Sequence, residues 1–277
     1  MAKARKKQSK KCYTLKKRWI FAVILIAILW CFIIEPNILV VKKYKIQDKD
    51  LRGVRVVLAG DFHAKPYQAK RLKYTVDKIN AQNPDVVFLI GDYVNMHSDL
   101  MSYPISKTAK ALSDIRAKHG IYTVLGNHDY FKDGKTIKRE LNKNGITVLE
   151  NRNKKVRIDG KLIYVAGIED ITTAFPNVKK ALHNAGEPLI LLSHQPDIFP
   201  EIPKDGVNLT LAGHTHGGQV VIPFIGPIIV PSKYGKKYAS GYFEEDGKKM
   251  IVTKGIGTSI LPVRFNCVPE IDVIEFE

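Results

Sequence analysis

The sequence predicts an α/β fold, and three observations carry that expectation. Short β-branched runs at 54–59, 86–90 and 121–125 are bounded by Gly or Pro and read as buried strands. Between them lie segments with helical spacing, 69–81 and 105–118. In the first of these Leu72, Val76 and Ile79 mark one apolar face, and Asn83-Pro84 provides the stop. Strands alternating with helices in this way imply right-handed crossovers and a largely parallel sheet. Further strands are expected at 162–166, 189–192, 209–212, 250–253 and 271–276. This second half is poorer in helix, so a second sheet packed on the first is expected.

The amino terminus has a different character. Residues 19–34 carry no charge, and the apolar run resumes after Glu35-Pro36-Asn37 through Val41, giving 23 positions with one acid. That is long enough for a spanning helix, which needs roughly 20 apolar residues. A cleaved signal would carry a small-x-small site after its apolar region, and none follows here. The expected organisation is a basic cytoplasmic tail (1–18), a transmembrane anchor (19–41), a polar linker (42–51) and one catalytic domain (52–277). Residues 1–18 hold nine Lys and Arg and no acid, which by the positive-inside tendency sends the large domain out of the cytoplasm. Lys42, Lys43 and Lys45 pull the other way. The net charge of +17 is therefore largely a membrane-flanking tail on a lysine-rich surface, and nucleic acid is not the expected partner. The three cysteines form neither a disulfide framework nor a thiolate zinc pattern.

Four short clusters carry the chemistry: Gly60-Asp61-Phe62-His63, Gly91-Asp92, Gly126-Asn127-His128-Asp129 and Gly213-His214-Thr215-His216. With His194, each follows an apolar run closely, and ligands of open α/β sheets gather beyond the carboxyl ends of strands. Asp61 and His63, spaced i and i+2 on what reads as an extended segment, point to one side and can share an ion; His214 and His216 repeat the spacing. Asp92 is the natural bridge, Asn127 offers a neutral oxygen and His194 a further imidazole. Seven mixed donors exceed one tetrahedral zinc. They suit two divalent ions about 4 Å apart, of manganese, iron or zinc, polarising a phosphoryl group and activating a bridging water as hydroxide. His128 is placed to protonate the leaving-group oxygen, with Asp129 fixing its tautomer.

These motifs resemble the calcineurin-like metallophosphoesterase family, whose pattern Asp-x-His, Gly-Asp, Gly-Asn-His-Asp, His, Gly-His-x-His is met in order from Asp61 to His216. Ser-His-Gln-Pro-Asp (193–197) and Leu-Pro-Val-Arg-Phe-Asn-Cys (261–267) look like its membrane-anchored bacterial subgroup. The resemblance implies a four-layer α/β/β/α sandwich of two mixed sheets. It also implies that Asp61, His63, Asp92 and His216 hold one ion or bridge, that Asp92, Asn127, His194 and His214 hold the other, and that His128 is the acid near the phosphate. Two departures stand out. Gly60 and Phe62 replace the usual Ser and Leu, leaving the ligands intact, and Asn95 stands where an acid is common.

The expected activity is hydrolysis of a phosphodiester or pyrophosphate, in a phosphate-ester small molecule or a lipid-linked envelope substrate. A UDP-2,3-diacylglucosamine pyrophosphatase would need the site to face the cytoplasm. A metal-binding scaffold without catalysis, and a nuclease using the basic surface, are the readings from other classes. His97, His119 and His183 read as surface histidines, and Lys65 and Arg71 as solvated surface. Arg264 is open between a phosphate contact and a packing role, and Tyr242-Phe243 reads as core.

Overall fold

A computed structural model describes residues 2–95 and 102–277, with side chains from residue 16 onward. Two mixed six-stranded sheets pack face to face. The first contains β1 (Val40–Ile46), β2 (Arg55–Ala59), β3 (Val86–Leu89), β4 (Ile121–Thr123), β5 (Ile146–Val148) and, from the carboxyl end, β14 (Glu270–Phe276). The second contains β6 (Arg152–Ile158), β7 (Lys161–Gly167), β8 (Leu189–Leu192), β9 (Leu209–Ala212), β12 (Gly241–Glu245) and β13 (Lys248–Val252); β10 (Val221–Ile222) and β11 (Gly226–Pro227) form a small separate ribbon.

In the first sheet the order is β1-β14-β2-β3-β4-β5, with β2 to β5 parallel, as strand–helix alternation demands. In the second the order is β12-β13-β9-β8-β7-β6, parallel at its centre and closed by antiparallel hairpins at both edges. Between the sheets lies an apolar layer including Leu58, Phe88, Val165, Ile190, Leu211 and Ile251. The outer face of the first sheet is covered by α2 (Ala69–Asn80), α3 (Ile105–Leu112) and α4 (Asn127–Lys143), which contribute Leu72, Ile79, Leu112 and Leu141. The outer face of the second is covered by α5 (Val178–Leu182) and a 3-10 segment around Phe199. Helices, sheet, sheet and helices therefore form the expected four layers.

Some elements differ from expectation. The helix expected over 105–118 stops at Leu112, because the chain must turn back to start β4. The helix α4 was not anticipated, since its mean character is polar and its apolar contacts are few: Ile137 and Leu141. Residues 42–51 are not a linker throughout. Val40–Ile46 forms the edge strand β1, pairing in parallel with β14 and so satisfying backbone groups that a sheet edge would leave open.

The amino-terminal helix α1 (Ala2–Leu29) runs on through a π-helical turn, Trp30–Ile34. Residues Lys16–Asn37 are long and apolar enough to cross a membrane, and most of the side chains in this stretch are exposed. The one acid of the run, Glu35, is buried. It accepts hydrogen bonds from Trp30 Nε1 (2.7 Å) and from the Cys267 backbone N–H (2.6 Å), and the Arg264 backbone N–H donates to the Cys31 carbonyl (2.9 Å). These bonds fasten the helix end to the loop that precedes β14.

Candidate metal centre

The turns that leave β2, β3 and β9 hold most of the donors, and the backbone there is unusual. Asp61, His63, Asp92, His214 and His216 all have positive φ, between 41° and 69°. Such conformations cost about 1–3 kcal/mol each for residues with a Cβ. The pair Asp61 and His63 thus lies on a left-handed turn and not on an extended segment. It is the turn, and not strand alternation, that brings both side chains inward. Neighbouring turns brace one another: Asp61 N–H donates to Gly91 O (3.0 Å) and His63 N–H to Asp92 O (2.9 Å). A Cβ on Gly126 would lie 2.2 Å from Asp92 Oδ1, so only glycine lets the start of α4 close onto that carboxylate.

The seven expected ligands come together. Asp92 Oδ2 lies 3.4 Å from both His63 Nε2 and His194 Nε2. On one side His63 Nε2 and His216 Nε2 are 3.0 Å apart, with Asp61 Oδ1 3.8 Å from His216 Nε2. On the other, His194 Nε2 lies 3.1 Å from both His214 Nδ1 and Asn127 Oδ1. The groups Asp61–His63–His216 and Asp92–His194–His214 each present ligand atoms within 4.8 Å of one another. His63, Asp92 and His128 form a third such group, so His128 stands at the edge of the cluster.

The electrostatics of the cluster favour cations. Burial pushes the pKa of His63 down to about 3 and that of His214 to about 4, leaving neutral imidazoles with free lone pairs. Burial opposes a charge on His194 as well, but the carboxylates of Asp92, Asp61 and Asp170 outweigh it and push its pKa up to about 10. Burial raises Asp61 to about 7, while the surrounding imidazoles overcome the burial of Asp92 and hold it well below the usual carboxylate range. A proton held so tightly among carboxylates and facing ring nitrogens supplies the positive charge that a divalent ion would supply better. The donor set, imidazole with carboxylate and one amide oxygen, fits such ions.

Other expected residues fall differently. Both oxygens of Asp129 accept from backbone: Asp92 N–H (2.8 Å), Tyr93 N–H (2.9 Å), Gly126 N–H (3.0 Å) and, more weakly, Val94 N–H (3.4 Å). Its carboxylate thus clamps the Asp92 turn to the start of α4, where the sequence reading set it against the His128 ring. His128 packs edge-on against His63, with ring centroids 4.5 Å apart, and its Nε2 lies 3.4 Å from Ser259 Oγ. Lys65, expected on the surface, is buried and donates to Thr258 Oγ1 (3.2 Å). Arg71 donates to the Ile256 carbonyl (2.7 Å). Arg264 is fully buried and donates to the carbonyls of Gly257 (2.6 Å), Lys254 (2.9 Å) and Cys267 (3.0 Å), which resolves its open role towards packing. Asn95 is buried, His183 is exposed and His119 partly so; Tyr242 is exposed and Phe243 packs on Tyr238; His97 lies outside the described residues. Ser259 and Gln219, joined by two hydrogen bonds across the cleft wall, carried no signal in the sequence.

A family model described as Calcineurin-like phosphoesterase matches residues 54–218, a span that contains all seven donors and His128. The chain belongs to the calcineurin-like phosphoesterase family. As such it is a metal-dependent phosphoester hydrolase. This metallophosphoesterase is 31% identical to a Bacillus subtilis (strain 168) protein named uncharacterized metallophosphoesterase YkuE, over 87% of this chain and 86% of the other. It is 30% identical to phosphodiesterase YaeI of Escherichia coli K12, over 70% of this chain and 71% of that one. It is also 30% identical to a Danio rerio transmembrane protein with metallophosphoesterase domain, over 78% of this chain but only 51% of that longer protein.

Proposed function

We propose that this metallophosphoesterase is a membrane-anchored hydrolase of phosphodiester or pyrophosphate bonds that works with two divalent ions. The observation that carries the reading is the single carboxylate of Asp92, set 3.4 Å from His63 on one side and 3.4 Å from His194 on the other. Asp61, His63, Asp92 and His216 would hold one ion; Asp92, Asn127, His194 and His214 would hold the other. When bound, the ions supply Lewis-acid polarisation of the phosphoryl oxygens and lower the pKa of a coordinated water. The chain's own residues do the rest. Asp61 accepts the His214 backbone N–H at 3.1 Å and so sets the angle of the last motif. His128, at the cluster edge and facing the cleft, donates a proton to the departing oxygen. The apolar helix Lys16–Asn37 holds the domain to a bilayer, and the basic stretch before it keeps the amino terminus in the cytoplasm and the site outside.

The test uses the full chain in detergent, stripped of metal and resupplied with manganese, iron or zinc. Bis-para-nitrophenyl phosphate, the monoester and a UDP-linked acyl-sugar separate diesterase, phosphatase and pyrophosphatase activity. Turnover that needs metal and falls by about a thousandfold or more in Asp92→Ala supports the reading, because one substitution strips a ligand from both ions. Undiminished turnover in Asp92→Ala would sink it.

A further inference from the structure

Beside the metal cluster lies a cleft of about 510 Å³ whose upper walls are apolar. One wall is Val220, Ile228 and Ile229; the other is Ile260, Leu261 and Val263. Two stretches build these walls, 217–232 and 255–263, and neither contains a charged residue. They are tied together where Gln219 Nε2 donates to Ser259 O (3.1 Å) and Ser259 N–H to Gln219 Oε1 (2.8 Å), and just past the second stretch Val221 N–H donates to Phe265 O (2.9 Å). Beyond the cleft the first stretch turns over at Phe224 and Ile225, between β10 and β11. Phe224 is fully exposed and has a φ of 66°, a conformation a bulky residue rarely takes. Ile225, Ile229, Ile260 and Leu261 are each more than half exposed. An apolar face of this kind on a water-soluble surface marks a place where something else binds.

What covers it follows from where it stands. The second wall is fastened to the apolar amino-terminal helix by the bond from Arg264 N–H to Cys31 O (2.9 Å). Cys31 lies six residues before the end of the candidate span Lys16–Asn37, or about 9 Å at the rise of a helix. If that helix crosses a bilayer, the mouth of the cleft meets the lipid surface. Lys233, Lys236 and Lys237 follow the first stretch; Lys233 pairs with Glu201 (3.5 Å) and Lys237 with Glu245 (2.9 Å), while Lys236 Nζ reaches the Ile225 carbonyl at the tip (3.3 Å). Cations flanking an apolar tip are the pattern of a surface that seats on anionic lipid.

We infer that the cleft opens onto the membrane and that the substrate is an amphiphile resident in the bilayer, a phosphodiester or diphosphate whose apolar tail lies between the two uncharged loops. The inference rests on the phosphoesterase reading and narrows it to a substrate class. In the reaction the oxygen of water bonds to phosphorus and the P–O bond to the leaving group breaks. The proton that the water gives up ends on the leaving oxygen where its basicity requires one and otherwise in solvent, and the tail-bearing product stays in the bilayer.

The test sets the full chain, reconstituted with manganese in phosphatidylcholine vesicles, against two diesters with the same scissile bond: methyl para-nitrophenyl phosphate and hexadecyl para-nitrophenyl phosphate. The long ester partitions into the bilayer. A site facing water would then meet less of it and turn it over more slowly than the methyl ester. A site facing the bilayer should show kcat/KM at least about tenfold higher for the long ester, since each methylene moved out of water is worth about fourfold in partitioning. The double variant Phe224→Ser, Ile225→Ser changes the tip of the first stretch, and neither residue lines the cleft or belongs to the metal cluster. It should lower turnover of the long ester severalfold and leave the methyl ester unchanged, the latter also reporting that the variant folds. Equal or slower turnover of the long ester overturns the inference while leaving the phosphoesterase reading intact. If neither ester is hydrolysed with any metal, the reading itself fails and the inference with it. Loss of self-association in the double variant, with no preference for the long ester, would assign the face to a second copy of the chain.

Discussion

His128 and His194 sit within one cluster yet answer to different forces. His128 lines the cleft beside Ser259, where a departing oxygen can be reached, and the proposed acid role sets a measurable signature. His128→Ala should retain its metal, measured by mass spectrometry. It should lose about a hundredfold or more in kcat on a diester with an alkyl leaving group, the usual worth of a positioned acid. With para-nitrophenolate, which leaves without help, the loss should be much smaller. Equal losses on both would show that His128 does something else. His194 and Asp61 carry a second prediction. With no ion bound, His194 holds its proton up to about 10 and Asp61 up to about 7, and both must give it up to coordinate. Metal loading at neutral pH should therefore release protons, and affinity should fall as pH drops through 7. Calorimetric titration in buffers of different ionisation enthalpy reads the number directly. No release would contradict this account of the two groups.

At the scale of elements, the site depends on turns that cross-brace at the ends of strands. Asp129 at the start of α4 gathers the N–H groups of the Asp92 turn, and Gly126 allows that helix to approach Asp92. Gly126→Ala places a Cβ where Asp92 Oδ1 now lies, and displacement by about 1 Å in a reacting assembly costs on the order of a hundredfold in rate. The variant should fold, because Gly126 is not in the apolar core, but bind fewer ions per chain. A variant with normal metal content and rate would show that the close approach is dispensable. Much of this level was legible beforehand. The four Gly-containing clusters and His194 are readable as one site because each follows a short apolar run that reads as a buried strand. What could not be read was the left-handed backbone at Asp61 and His63, which is imposed by bonds to Gly91 and Asp92 some thirty residues away. The burial of Lys65 was hidden for the same reason, since its partner is the hydroxyl of Thr258 near the other end of the chain; Arg264 bonds carbonyls close to it in sequence, and no local pattern marks it as buried.

For the whole molecule, the relation between the apolar helix and the domain decides what the site can meet. Glu35, the acid that interrupts the apolar run, is the hinge pin: it joins Trp30 to the backbone of Cys267 and so fixes the domain to the helix end. Val40–Ile46 then enters the first sheet directly, leaving little freedom between the apolar helix and the domain. The proposed topology is testable at this scale. Alkaline phosphatase, which is active only outside the cytoplasm, should be active when fused after Glu277 in a bacterial host. A fluorescent protein that matures only in the cytoplasm should stay dark at the same position. The reverse pattern would put the site in the cytoplasm and return a nucleotide-linked substrate to consideration.

By itself the sequence determined the chemistry and its frame. Apolar runs of strand length alternating with helical spacing dictate an α/β sheet, because burial on both faces admits little else. Polar donors placed just after those runs must then meet at one edge. A long uncharged stretch after a basic tail likewise stands out from composition alone. Only the tertiary structure decided how the donors divide around Asp92, that Asp129 serves the backbone, and that two uncharged loops far apart in the chain form one cleft beside the apolar amino-terminal helix. Those facts depend on contacts between residues distant in sequence, and such contacts are set by packing and mutual hydrogen bonding, which no local pattern records.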